Sequence, residues 1–216
     1  MFIQEERGHR RIGEVIREAK ARRVPLVFVP ARRLDQAAPG HQGVMAEVSP
    51  KGYASLGEIL GRSPKPFVVI LDEVEDPQNL GAIVRSAEGA GVDGLILPER
   101  RSAGLTETVD TVSAGALEHL LVARVPNLVR AMEELKAKGL WLVGAEGSGD
   151  APWHSFDYTG PVGIVFGSEG RGLRPLVRRT CDKVLAIPLA GKVGSLNVAA
   201  AAAVFFFEVV RQRRRL

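Results

Sequence analysis

An α/β fold, a parallel sheet flanked by helices, is predicted by three observations. Short apolar runs that read as buried strands recur along residues 63–216, and most are separated by helical stretches. Runs such as Phe67-Val68-Val69-Ile70-Leu71 are apolar at every position, as strands covered on both faces must be. Polar and glycine-rich segments follow several of these runs, where ligands collect beyond strand C-termini in such sheets.

The N-terminal piece reads as a helix over 12–21, a strand over 26–29, a turn-rich stretch over 37–43 and a strand over 44–48. Arg62-Ser63-Pro64-Lys65-Pro66 resists helix and sheet pairing, so the chain divides near residue 63 into domains 1–62 and 63–216. The second piece opens with the strand 67–71. Asp76 as N-cap and Pro77 at the first helical position start a helix that runs to Gly91. A strand over 95–97, a helix over 106–117 and a strand over 120–125 follow. Residues 127–138 form an amphipathic helix stopped by Gly139. Strands over 141–143 and 162–166, a short helix over 173–180 and a strand over 184–187 lead to a long last helix over 195–213.

At 216 residues the chain accommodates one good core, or a small and a medium domain. Its 45% hydrophobic and 25% charged residues are ordinary for a soluble globular protein. The single cysteine, Cys181, excludes an internal disulfide and a multi-cysteine metal site, and fits a reducing cytoplasm. The first residues lack the basic-then-apolar order of a signal peptide, and the most apolar run, 196–210, is broken by Asn197 and Glu208, so no membrane partner is expected. The net charge is +4, and residues 1–62 hold eleven Lys and Arg against seven Asp and Glu. Residues 171–216 hold ten basic against two acidic residues. Basic segments at both ends suit a polyanion, with Arg7, Arg10, Arg11, Arg22 and Arg23 as candidate RNA contacts; a solvated basic surface is the alternative.

Three segments carry candidate chemistry. In the first, 72–85, an acidic loop leads from a strand into a helix that holds Asn79 in its first turn and Arg85 among Ile83, Val84 and Ala87. An arginine on an apolar stripe needs an anion: a phosphate or the reacting ribose, or a structural carboxylate such as Glu88. In the second, Gly167-Ser168-Glu169-Gly170-Arg171-Gly172, three glycines allow close backbone approach to a ligand, or simply a tight strand-to-helix turn. Its spacing is not the dinucleotide fingerprint. The third runs from Ile187 to Asn197. Its Gly191-Lys192 lacks the preceding glycine and following hydroxyl of a P-loop. Ser195 reads as the N-cap of the last helix, with Asn197 in its first turn and in need of a partner if buried. No hydrolase triad and no metal site stands out, and the four histidines are scattered.

Taken together these segments resemble the SpoU family of RNA ribose 2′-O-methyltransferases. The matching residues are Asp76-Pro77-Gln78-Asn79-Leu80-Gly81-Ala82 with Arg85, Gly167-Ser168-Glu169-Gly170, and Ile187-Pro188-Leu189-Ala190-Gly191 with Ser195-Leu196-Asn197-Val198. His41-Gln42-Gly43-Val44, Arg101-Ser102-Ala103 and the ending from Glu208 to Arg213 are similar to the bacterial 23S rRNA guanosine 2′-O-methyltransferases of that family. The chain departs from the family at Ala199, where serine is common.

The resemblance implies a C-terminal deep trefoil knot (the SPOUT fold), a preceding small, shortened α/β RNA-binding domain, and a homodimer. It implies S-adenosyl-L-methionine as cofactor, with backbone contacts from Gly167, Ile187 and Leu196 and a surround that includes Ala145, Ser168, Gly170 and Leu189. It places Arg85, Asn79, Glu169, Ser195 and Asn197 at the reaction, which is displacement of the cofactor's methyl group by a ribose 2′-hydroxyl. Arg85 is the family's candidate proton acceptor. A guanidinium holds its proton tightly, so an electrostatic clamp on phosphate is the other role open to it. The expected substrate is a guanosine ribose of 23S rRNA; a tRNA ribose, or a non-catalytic RNA-binding role, is the alternative.

Overall fold

The computed structural model describes residues 1–5, 10–47 and 51–214, of Arg10 only the backbone. They form two compact units, Met1–Pro50 and Lys51–Leu216.

In the smaller unit β1 (Phe2–Gln4) lies between β2 (Val27–Val29), parallel to it, and β3 (Val44–Met45), antiparallel. Helices α1 (Arg10–Ala21) and α2 (Ala31–Ala37) complete it, and Ile3, Ile12, Ala19, Val29 and Leu34 are buried. β1 is too short to show a period, and α2 buries Leu34 alone, so neither was readable as an element. The strand expected over 44–48 ends at Met45, and its last residue lies outside the described residues.

The larger unit begins with α3 (Leu56–Leu60), opened by a capping box in which Glu58 N–H donates to the Ser55 hydroxyl and Ser55 N–H to the Glu58 carboxylate. Ile59 of α3 is fully buried among Val68, Ile70 and Ile96. The division expected near residue 63 therefore falls at 50/51: the segment after residue 50 carries an apolar anchor that belongs to the larger core.

Seven parallel strands follow: β4 (Phe67–Leu71), β5 (Gly94–Pro98), β6 (Leu121–Val125), β7 (Trp141–Ala145), β8 (Ala151–Pro152), β9 (Val162–Phe166) and β10 (Lys183–Ala186). Their order in the sheet is β6-β5-β4-β9-β7-β10-β8. Alternation along β4 builds both cores. Phe67, Val69 and Leu71 pack with α4 (Pro77–Gly89), α5 (Glu107–Ser113) and α8 (Val198–Arg214). Val68 and Ile70 pack with α3, α6 (Leu128–Ala137) and α7 (Pro175–Thr180). Phe67 and Phe166 each meet Phe206 of α8 edge to face.

Two helices differ from expectation. The helix expected over 106–117 breaks at Ala114 and Gly115, both left-handed (φ +52° and +86°), and resumes as a 3₁₀ turn, Ala116–Glu118. The last helix starts at Val198, not at Ser195, because Asn197 is its cap: Asn197 Oδ1 accepts from the amides of Ala199 (3.0 Å) and Ala200 (3.3 Å).

Candidate active site

Three loops leave the C-terminal ends of β9, β7 and β10 and surround one cavity of about 500 Å³, a volume typical of small-molecule sites. The loop after β9 is pinched. A Cβ on Gly167 would lie 2.2 Å from the backbone carbonyl of Gly172, so only glycine fits. Gly170 and Gly172 take positive φ (+78° and +68°), and Gly172 N–H donates to Ser168 O at 3.0 Å to close the turn. The loop after β7 presents Ala145, Glu146 and Gly147, and the segment after β10 presents Ile187, Leu189 and residues 194–198.

All seven residues expected around the cofactor line this cavity: Ala145, Gly167, Ser168, Gly170, Ile187, Leu189 and Leu196. Glu169, Ser195 and Asn197 line it as well. Ser195 is exposed there and is free of the capping role expected of it. Asn79, in the first turn of α4 and 8% exposed, reaches the same point through its side chain. Asn197 Nδ2 donates to Asn79 Oδ1 at 2.8 Å and to Glu169 Oε1 at 2.7 Å. One amide thus ties together the three segments that the sequence singled out, and Asn79 Nδ2 is left without a hydrogen bond among the described residues.

Arg85 is placed differently. It is exposed on α4 while Ile83, Val84 and Ala87 are buried, so the burial cost expected of it does not arise. It does not line the cavity and makes no hydrogen bond or ion pair among the described residues, Glu88 included. Arg11, Arg22 and Arg23 are exposed on the smaller unit, where Arg22 pairs with Glu18 (2.7 Å). Arg7 lies outside the described residues, as does the side chain of Arg10.

Several features of the site were not anticipated. Phe166, Ala201 and Phe205 line the cavity, together with Arg171 and Val198 of the segments singled out. Behind the loop after β9, Asp72 at the end of β4 is 1% exposed and accepts from Arg174 Nε (2.7 Å) and from the Arg174 backbone N–H (2.9 Å). Its neighbour Glu73, left-handed at φ +59°, meets Arg101 (3.2 Å) and Arg174 (3.6 Å). Acidic residues directly after a buried strand were the available signal for this anchor. Glu146 accepts from Arg178 Nε at 2.8 Å, a bond that raises the affinity of that guanidinium for its proton. Cys181, half-buried behind β7, has its thiol pushed up to about 12 by desolvation and takes no part in the cavity wall.

Residues 66–207 match the SpoU rRNA methylase family. The chain belongs to that family. As a SpoU-family protein it is an RNA methyltransferase, and the family uses S-adenosylmethionine. Residues 1–54 match the RNA 2′-O-ribose methyltransferase substrate-binding domain. The SpoU chain is 41% identical over 219 residues to the 23S rRNA (guanosine-2′-O-)-methyltransferase RlmB of Shewanella oneidensis, covering 99% of itself and 89% of that protein. Its fold matches the crystal structure of the SpoU methyltransferase AviRb from Streptomyces viridochromogenes in complex with S-adenosylmethionine, with TM-score 0.81 and 28% identity over 100% of this chain and 83% of that one. A TrmH/SpoU tRNA modifying enzyme of A. aeolicus matches with TM-score 0.65 and 30% identity, over 73% and 80% of the two chains.

Proposed function

We propose that the protein methylates the 2′-hydroxyl of a guanosine ribose in 23S rRNA, with residues 145–147, 167–172 and 187–198 forming its cofactor site. The observation that carries this reading is the junction at which Asn197, on the cavity wall beside Glu169, also holds Asn79.

The cavity suits S-adenosylmethionine. Phe166, Ile187, Leu189, Leu196 and Val198 offer apolar wall for a purine, and Glu146, Ser168, Glu169 and Arg171 offer polar groups for a ribose and an amino acid. When bound, the cofactor supplies a methyl group activated by a sulfonium. Everything else falls to the chain. Asn79, with its amide oxygen held by Asn197, offers Nδ2 to the 2′-hydroxyl and fixes its approach. Glu169 holds Asn197 from the other side and is itself approached by Val198 N–H (3.5 Å). Ser195 completes the pocket on the reacting side. Arg85, exposed and without a partner among the described residues, has its donors available to RNA, and we assign it as the clamp on a phosphate beside the reacting ribose. The smaller unit, with its basic α1, binds the RNA.

The same reading includes the knot, a homodimer and a cytoplasmic setting. Support for the knot is the position of β10 between β7 and β8, two strands that precede it in the chain. Support for the dimer is Val204 and Phe207, which are 36% and 53% exposed on α8.

The test is to incubate the protein with methyl-labelled S-adenosylmethionine and separate pools of 23S rRNA and tRNA, then map the modified ribose. Label on a guanosine 2′-oxygen of 23S rRNA is expected. Label confined to tRNA moves the substrate, and absence of both label and cofactor binding overturns the reading.

A further inference from the structure

Glu146 is the one carboxylate on the cavity wall whose partner in the bound cofactor the reading above leaves unassigned. Glu146 stands at the end of β7, and its backbone is pinned on both sides: its N–H donates to Leu185 O (3.0 Å) and its carbonyl accepts from Gly149 N–H (3.0 Å). Its side chain is only 18% exposed. One oxygen, Oε2, is fully engaged, accepting from Arg178 Nε at 2.8 Å and from Ser148 Oγ at 3.1 Å. The other, Oε1, has no hydrogen bond among the described residues. Room for it comes from Gly172, across the cavity wall: a Cβ there would approach Oε1 to 2.7 Å.

Such a group has a definite preference. Arg178 offsets the charge of the carboxylate, so little net attraction for a cation remains. The acceptor capacity of Oε1 is untouched, since an ionised carboxylate only accepts. A fixed, charge-compensated acceptor on the wall of an adenosine-sized cavity fits a hydroxyl better than an ammonium. Nucleoside sites elsewhere use an acidic residue after a strand in this way, to hold ribose hydroxyls.

We propose that Glu146, positioned by Arg178 and Ser148, accepts hydrogen bonds from the ribose hydroxyls of the bound cofactor and selects for an adenosine with an intact diol. The proposal rests on the cavity being the cofactor site, and its test separates the two. Binding of S-adenosylhomocysteine, its 2′-deoxy and 3′-deoxy forms, and 5′-methylthioadenosine is measured by calorimetry on the wild type and on Glu146→Ala and Glu146→Gln. In the wild type, removing a ribose hydroxyl weakens binding by about tenfold or more, as for hydrogen bonds to charged groups. Glu146→Ala weakens S-adenosylhomocysteine and 5′-methylthioadenosine to the same extent, and the deoxy forms then bind like their parents. If the wild type does not distinguish deoxy forms from their parents, Glu146 holds no hydroxyl, whatever the variants do. If the variants weaken S-adenosylhomocysteine but not 5′-methylthioadenosine, Glu146 holds the amino acid end and the proposal fails. Should the wild type bind none of these ligands, the cofactor site itself is misplaced.

Discussion

Asn197 Nδ2 donates to Asn79 Oδ1 across 2.8 Å, joining residues 118 positions apart in the chain. The same Asn197 side chain caps α8 through its oxygen, so a single residue sets both where the last helix begins and how Asn79 is turned.

Asn197→Ala removes both roles. Loss of the cap destabilises the protein by about 1–2 kcal/mol, read from urea unfolding. Methyl transfer falls further than this accounts for, because Asn79 loses its orientation while the protein is still folded. Asn197→Asp keeps the cap but places a second carboxylate against Glu169, and is expected to retain stability at neutral pH better than activity.

Arg85→Ala abolishes methyl transfer and leaves cofactor affinity within about twofold, since Arg85 is exposed and outside the cavity wall. Its unfolding free energy changes by less than about 0.5 kcal/mol, as for an unpartnered surface residue. Full activity in this variant would remove Arg85 from the reaction.

Gly167→Ala is expected to weaken cofactor binding by about tenfold or more, a loss of about 1.4 kcal/mol. The new methyl group would meet the Gly172 carbonyl at 2.2 Å and force the loop after β9 open. Titration with S-adenosylhomocysteine measures it directly, without RNA.

Arg174→Ala strands the Asp72 carboxylate, whose side chain is fully buried, with only the residue 174 amide as partner among the described residues. Removing one member of such a pair costs about 3 kcal/mol. The double change Arg174→Ala with Asp72→Asn recovers part of that loss, and equal unfolding free energies for the single and double variants would contradict the account.

Replacing Arg11, Arg22 and Arg23 together by alanine weakens RNA binding and lowers the slope of log affinity against log salt by about two, at roughly 0.7 per lost phosphate contact. The slope is the decisive quantity, because a change confined to folding would shift affinity without altering it.

The larger unit was legible in the sequence because its strands are buried on both faces and its helices carry clear caps. The Asp76 cap and the 162–166 strand fall where expected, and the helix expected over 127–138 runs from Leu128 to Ala137 behind the cap Asn127. The cavity was legible for the same reason: strand ends followed by glycines and an isolated asparagine mark themselves. Elements too short to show a period, such as β1, β8 and α2, were not. Nor was the exchange of roles between Ser195 and Asn197, since either residue caps a helix equally well in sequence and only the tertiary partners Asn79 and Glu169 decide between them. Arg85 misled in one respect. A stripe read from neighbours in sequence ignores that successive helical residues point about 100° apart, and residue 85 turns outward from the face that 83, 84 and 87 share.

The place of β10 between β7 and β8 bears on how the protein is made. The strand that carries the final wall of the cavity emerges late in synthesis and must enter a sheet whose other members are already present. A chain interrupted after β9 has its sheet nearly whole and lacks Asn197. Without β10 and the segment after it, the cavity lacks Ile187, Leu189 and residues 194–198 of its wall. The pairing of β4 with β9 joins Phe67 to Val162, and pairings so distant in the chain form slowly, so the appearance of cofactor affinity during refolding should lag behind the appearance of helix.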